Sequence, residues 1–111
     1  MSYNMFIDDE RFPPANNQQW KICRSFDQVK EVIKEHGFPK HISFDHDLGD
    51  QQPTGYDIAK WMVECDLDQR VIPDDLSFYV HSQNPIGKRN IEALLINYLD
   101  HRRCIDHNSI C

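Results

Sequence analysis

The sequence has no long apolar run, no closely paired cysteines and no excess of positive charge. No apolar stretch approaches the roughly 18 residues that a membrane-spanning helix needs, and the N-terminus MSYNMFIDDER lacks the layout of a secretion signal, so we expect a cytoplasmic protein without membrane contact. The 18 acidic residues outnumber the 12 lysines and arginines, which gives a net charge of -6. Because duplex DNA is bound largely through positive charge, this balance argues against a duplex-DNA partner and favours a small-molecule or metal ligand.

The four cysteines are far apart in the chain and form no CxxC pair, which argues against a zinc knuckle and predicts reduced thiols. A length of 111 residues allows one domain with a real core. We place this domain at residues 1–103 and expect a loosely held C-terminal tail at 104–111.

Short apolar strands alternate with amphipathic helices along the chain. The predicted strands are Tyr3–Ile7, Trp20–Arg24, Ile42–Phe44 and Leu76–Val80. Helices are predicted between the capping residue Ser25 and Gly37, from Thr54 to about Cys65, and from Asn84 towards Arg103, with loops at 12–19 and 66–75. Alternation of this kind is typical of an α/β fold with a mostly parallel sheet of about four strands, covered by helices in three layers.

Polar side chains follow three of these strands directly. Asp8 and Asp9 follow the first strand, and HISFDHDLG at 41–49 places Asp45, His46 and Asp47 after the third. The fourth strand is followed by His81 and Ser82. Because parallel strands end at one edge of a sheet, where open α/β folds bind ligands, we expect these three groups to converge.

This convergence favours a metal and phosphate site. Several carboxylates at one edge repel one another unless a divalent cation neutralises them, and oxygen ligands suit Mg²⁺ or Mn²⁺. We assign the metal to Asp8, Asp9 and Asp47, with Asp45 as the alternative to Asp47. Asn84 begins a helix whose free N–H groups can hold an anion, Ser82 and Arg11 are further phosphate ligands, and His46 or His81 can move protons.

Ordinary structural roles stay open for most of these residues. Asp8 and Asp9 could cap a loop or pair with Arg11, and a backbone carbonyl could hold either histidine. Ser82 is compatible with a simple turn and Asn84 with a helix cap.

Three segments carry a family resemblance. FIDDER at 6–11, HISFDHDLG at 41–49 and VHSQNPIGKRNI at 80–91 together resemble the cyclic-phosphate processing receiver domain family, over nearly the whole chain. The resemblance implies a reduced receiver-like, flavodoxin-like three-layer fold and the processing of cyclic phosphates such as nucleotides or RNA ends. Small proteins of this type also resemble ones carried by bacteriophages, in which case the host cytoplasm and a host protein partner are implied.

Carried over residue by residue, Asp8 and Asp9 resemble the acidic metal pair of receivers, Asp45 the phosphoacceptor, and Ser82 the hydroxyl residue that senses the phosphoryl group. The chain departs from receivers because no fifth strand with its lysine follows, and Lys88 lies inside the last predicted helix. This departure weakens the case for a switch that depends on aspartyl phosphate. It leaves three hypotheses: a metal-dependent phosphoesterase that uses Asp45, His46 and His81, a non-catalytic module that binds a nucleotide or a partner protein, and a degenerate phospho-receiver that is phosphorylated on Asp45.

Overall fold

A computed structural model describes residues 3–13, 19–49 and 51–108, with 103–108 as backbone only. The strands are β1 (Asn4–Ile7), β2 (Trp20–Cys23), β3 (His41–Phe44) and β4 (Ser77–Val80). The helices are α1 (Phe26–His36), α2 (Gly55–Gln69) and α3 (Pro85–Asn108). Within the described residues, no helix is both long and apolar enough to cross a bilayer.

The four strands form one parallel sheet in the order β2-β1-β3-β4. The α/β receiver-like fold class is therefore confirmed, and each strand boundary lies within one residue of its predicted position. The chain crosses from β2 to β3 through α1 and from β3 to β4 through α2, as parallel strands require. The two central strands, β1 and β3, are those that Asp8 and Asp45 follow.

Alternate residues of the sheet face the helices and form the core. These buried side chains include Met5 and Ile7 of β1, Ile42 and Phe44 of β3, and Val80 of β4. They pack with apolar residues of all three helices, namely Val29, Ile58, Met62, Ile91 and Leu95. Because side chains alternate along a strand, the remaining strand residues, such as Phe6 and Ser43, lie on the opposite face. The buried apolar side chains of all three helices join the core on one face, so the described helices do not form the predicted layers on both faces of the sheet.

Caps fix the predicted helix starts. The Ser25 hydroxyl accepts a hydrogen bond from Gln28 N at 3.2 Å, and Gly37 ends α1 at a φ of 82°. Thr54 forms a complete capping box with Asp57. Asn84 Oδ1 accepts from Gly87 N at 2.9 Å, so the predicted cap of α3 is confirmed.

Two helix ends were predicted too early. α2 runs to Gln69, so the predicted loop at 66–75 begins inside a helix, and the backbone of α3 continues to Asn108 rather than ending near Arg103. The predicted loop at 12–19 and the predicted tail at 104–111 lie partly outside the described residues.

An ion-pair network explains the extra length of α2. Asp66 is buried, and its side chain accepts hydrogen bonds from Arg102 Nη1 at 3.1 Å and from the Tyr98 hydroxyl at 2.5 Å, both on α3. It also accepts from Ile72 N at 2.9 Å, and Arg102 pairs in turn with Asp74. Asp66, which follows the predicted end of α2, therefore links α2 to α3.

Candidate metal and phosphate site

Sheet hydrogen bonds continue for one residue beyond β1, β3 and β4. They hold the backbone of the first candidate residue after each of these strands. Asp8 N donates to Cys23 O at 3.1 Å, Asp45 N to Ile7 O at 2.8 Å, and His81 N to Phe44 O at 2.9 Å. The side chains of Asp8, Asp45 and His81 each offer one ligand atom, and these three atoms lie within 4.8 Å of one another. The expected convergence is therefore present for one residue of each group.

Asp8 is fully buried at the base of the site. Its Oδ1 accepts hydrogen bonds from Glu10 N and Arg11 N, both at 2.9 Å, and its Oδ2 lies 3.9 Å from Arg11 Nε. Burial raises the pKa of Asp8, but the hydrogen bonds from Arg11, Glu10 and His81 outweigh it and hold the pKa below its usual value. Asp8 is thus a stable carboxylate that also caps the loop after β1.

His81 is held on both sides of its ring. Its Nε2 lies 3.0 Å from Asp8 Oδ2, and its Nδ1 lies 2.7 Å from Ser43 Oγ. Phe6 stacks on the ring with a centroid distance of 4.6 Å and an interplanar angle of 2°. Because Asp8 is ionised, Nε2 carries the proton in this bond, and both ring nitrogens already have partners.

Asp45 is 8% exposed and lies opposite Asp8. Burial and the negative charge of Asp8 raise the pKa of Asp45, while His81, the Ser82 hydroxyl and His46 N–H offset part of that rise. The two buried carboxylates therefore repel each other, and this repulsion raises the pKa of Asp45.

The opposite pKa shifts of the two aspartates predict opposite effects on stability. Asp8 has a lowered folded-state pKa, so its contribution is present above the ordinary carboxyl pKa and is lost as the pH falls through the folded pKa. Asp45 has a raised folded-state pKa, so its ionisation destabilises the fold above that pKa and has no effect below the ordinary value. At neutral pH, in chelator, we expect Asp8→Asn to lower the free energy of unfolding by about 2 kcal/mol and Asp45→Asn to raise it.

Urea unfolding at neutral pH and again below the ordinary carboxyl pKa measures both effects. The two variants should approach the wild type, from opposite sides, as the pH falls. Equal destabilisation by both substitutions at neutral pH would contradict the assigned repulsion.

A cavity of about 520 Å³ adjoins this cluster at Asp45. It is lined by Asp9, Glu10, Arg11, Asp45, Asp47, Gly49, Ser82, Gln83 and Asn84. Arg11 is the only basic residue among these lining residues, against four carboxylates. The cavity lining is therefore predominantly negative, which disfavours the binding of an anion alone.

His46 lies beside the cavity rather than in its lining. Its Nδ1 is 3.0 Å from Asp47 Oδ1, and a Cβ on Gly87 would lie 2.3 Å from its ring, so only glycine lets the ring lie against the first turn of α3. Asn84 Nδ2 donates to Asp47 Oδ2 at 3.4 Å. Asp47 thus links His46 and Asn84 at the rim.

A second glycine brings α2 close to the site. Gly55 N donates to His46 O at 2.7 Å, and a Cβ on Gly55 would lie 2.1 Å from the backbone oxygen of Asp45. The start of α2 therefore packs directly against the backbone of Asp45 and His46.

Few donors at the start of α3 are available to a phosphate. Pro85 has no N–H, Asn84 Oδ1 occupies Gly87 N, and Lys88 N donates to Asn84 O at 2.9 Å. Ser82 is also engaged, because its hydroxyl bonds to Asp45 and accepts from Asn84 N at 3.1 Å. The helix start is therefore chiefly capped by its own residues, and Arg11, 42% exposed at its side chain, is the more accessible of the predicted phosphate-binding residues.

Sequence reasoning missed Ser43 and Phe6, which position His81. A signal was present, because Ser43 stands two residues before Asp45 and Phe6 two before Asp8. Residues two apart on a strand share a face, so both side chains lie beneath the site. The roles of Gly55 and Gly87 depend on approaches between distant segments and have no such signal.

The parallel sheet with acidic residues after β1 and β3 defines a receiver-like α/β protein. A family model described as the cyclic-phosphate processing receiver domain matches residues 3–97. The match covers most of the chain, and the protein belongs to this family. No curated protein and no solved structure matches it.

Proposed function

We propose that this protein hydrolyses a cyclic phosphate of a nucleotide or RNA end, with the help of a divalent cation. The observation that carries the proposal is the cluster of Asp8, Asp45 and His81 beside an acidic cavity. Membership in a family tied to cyclic-phosphate processing supports the choice of substrate.

The donor set fits Mg²⁺ or Mn²⁺. Asp8 and Asp45 are buried neighbours whose repulsion a divalent cation relieves, and such a cation also offsets the negative charge that an anionic substrate meets in the cavity. Both ring nitrogens of His81 are engaged, so we assign the cation to carboxylate oxygens, the ligands that these ions prefer. Asp9 and Asp47 offer further carboxylate ligands for the cation near the cavity mouth. When bound, the cation polarises the phosphoryl group and favours attack by water.

The remaining groups bind the substrate and move protons. Hydrolysis joins a water oxygen to phosphorus and breaks the bond to one ribose oxygen, which takes up a proton. We assign the donation of this proton to His81, whose ring is held in place by Ser43 and Asp8. His46 is the second candidate for this role. The guanidinium of Arg11 offers hydrogen bonds to the non-bridging oxygens.

The test is incubation of purified protein with 2′,3′- and 3′,5′-cyclic nucleotides and cyclic-phosphate-ended RNA, in Mg²⁺, Mn²⁺ or chelator, read by mass spectrometry. We expect a product heavier by one water only when a cation is present, and loss of that product in His81→Ala. Intact ligand retained in stoichiometric amount would instead favour the non-catalytic binding module. Turnover that persists in chelator would refute the cation requirement.

A further inference from the structure

An exposed phenylalanine follows the one basic residue of the cavity lining. Phe12 is 76% exposed, the largest exposed fraction among the bulky apolar side chains that the structure describes as exposed. It stands next to Arg11, and consecutive Cα atoms lie about 3.8 Å apart. Phe12 therefore lies one residue from the cavity lining, to which Arg11 belongs.

Arg24 holds this phenylalanine in place. Its guanidinium carbon lies 4.8 Å from the centroid of the Phe12 ring, a cation–π contact. Its Nη1 donates to Asp8 O at 3.1 Å and also to Arg11 O. One side chain thus connects the ring to the backbone of the acidic site.

The geometry points to Phe12 as the stacking surface for the nucleobase of the substrate. Arg24 covers part of the ring and leaves most of it open, and every base offers a flat π face to an aromatic side chain. A cyclic phosphate on a sugar without a base has no group that would use this surface. Phe12 is therefore the residue that favours substrates with a base, free or at the 3′ end of RNA, an inference that rests on the proposed function.

Steady-state kinetics on two substrates test the assignment. Adenosine 2′,3′-cyclic phosphate carries the base, and ribose 2′,3′-cyclic phosphate lacks it. We expect Phe12→Ala to raise KM for the adenosine compound by at least about five-fold, to leave kcat unchanged and to leave KM for the ribose compound unchanged. Phe12→Trp should keep or lower the KM for the adenosine compound, and Leu67→Ala, which truncates a 70% exposed side chain on α2, should match the wild type.

An unchanged KM for the adenosine compound in Phe12→Ala would overturn the inference, as would an equal rise for both substrates. Either result leaves hydrolysis itself intact. A cyclic-phosphate-ended trinucleotide in the same assay identifies the source, because a KM below that of the mononucleotide indicates an RNA end and an equal or higher KM a free nucleotide. Either KM order for the trinucleotide and the mononucleotide supports stacking, provided that Phe12→Ala changes the KM.

Fluorescence separates this inference from the proposed function. In Phe12→Trp, with Mg²⁺ present, adenosine 2′,3′-cyclic phosphate should quench emission more than it does in the wild type, which has Trp20 and Trp61. The ribose compound should not. Quenching without turnover would support base stacking in a binding module and remove the enzyme, whereas no additional quenching would overturn the stacking.

Discussion

Asp45→Asn is expected to lower kcat/KM for ring opening by at least about a thousand-fold while the protein stays folded. The substitution keeps the shape of the side chain but removes its charge, and Asp45 is the cluster carboxylate that also lines the cavity. Losing several kcal/mol of electrostatic stabilisation corresponds to a rate change of this size. Rate measurements in saturating Mg²⁺, together with circular dichroism, determine the effect.

Two controls make this result specific. Asp68→Asn removes a carboxylate from the exposed side of α2 and should keep wild-type rates. Thermal unfolding should show that Mg²⁺ stabilises the wild type and has a smaller effect on Asp45→Asn, since fewer ligand charges remain. Full activity in a folded Asp45→Asn protein would eliminate Asp45 from the mechanism.

Asp66→Ala is expected to have the largest effect on stability, a loss of about 3–5 kcal/mol. The alanine leaves the buried Arg102 guanidinium without its buried partner, although the exposed Asp74 remains beside it. It also removes the acceptors for Tyr98 and Ile72 N. Urea unfolding monitored by tryptophan fluorescence measures the loss.

A graded control separates charge from hydrogen bonding in this network. Burial and its bond to Asp66 raise the pKa of Tyr98 to about 12, so the phenol is a donor at neutral pH. Tyr98→Phe removes that one bond and should destabilise by about 1 kcal/mol. If Asp66→Ala were no more destabilising than Tyr98→Phe, the buried charge of Arg102 would not be the cause.

The fold could largely be predicted from local patterns. Short apolar segments, with clear alternation in the fourth, located the four strands within one residue, and side-chain caps located the helix starts at Ser25, Thr54 and Asn84. The end of α2 could not be predicted, because Asp66 is stabilised by Arg102, 36 positions away in the chain. A local pattern carries no information on such a partner.

The candidate site could be predicted in outline only. Strand ends revealed that Asp8, Asp45 and His81 converge, because parallel strands share an edge. The sequence could not reveal that Ser82 and Asn84 are occupied by local hydrogen bonds, or that the His46 ring packs against Gly87. These details depend on side-chain packing, which periodicity does not describe.

The order of the strands also bears on how the site responds to local unfolding. Asp8 and Asp45 follow the two inner strands, whereas His81 follows β4, a strand at the margin of the sheet. Marginal strands open at lower free energy than inner ones. Transient detachment of β4 would therefore withdraw His81 and the start of α3 while both carboxylates stay in place, and would separate the members of the cluster without global unfolding.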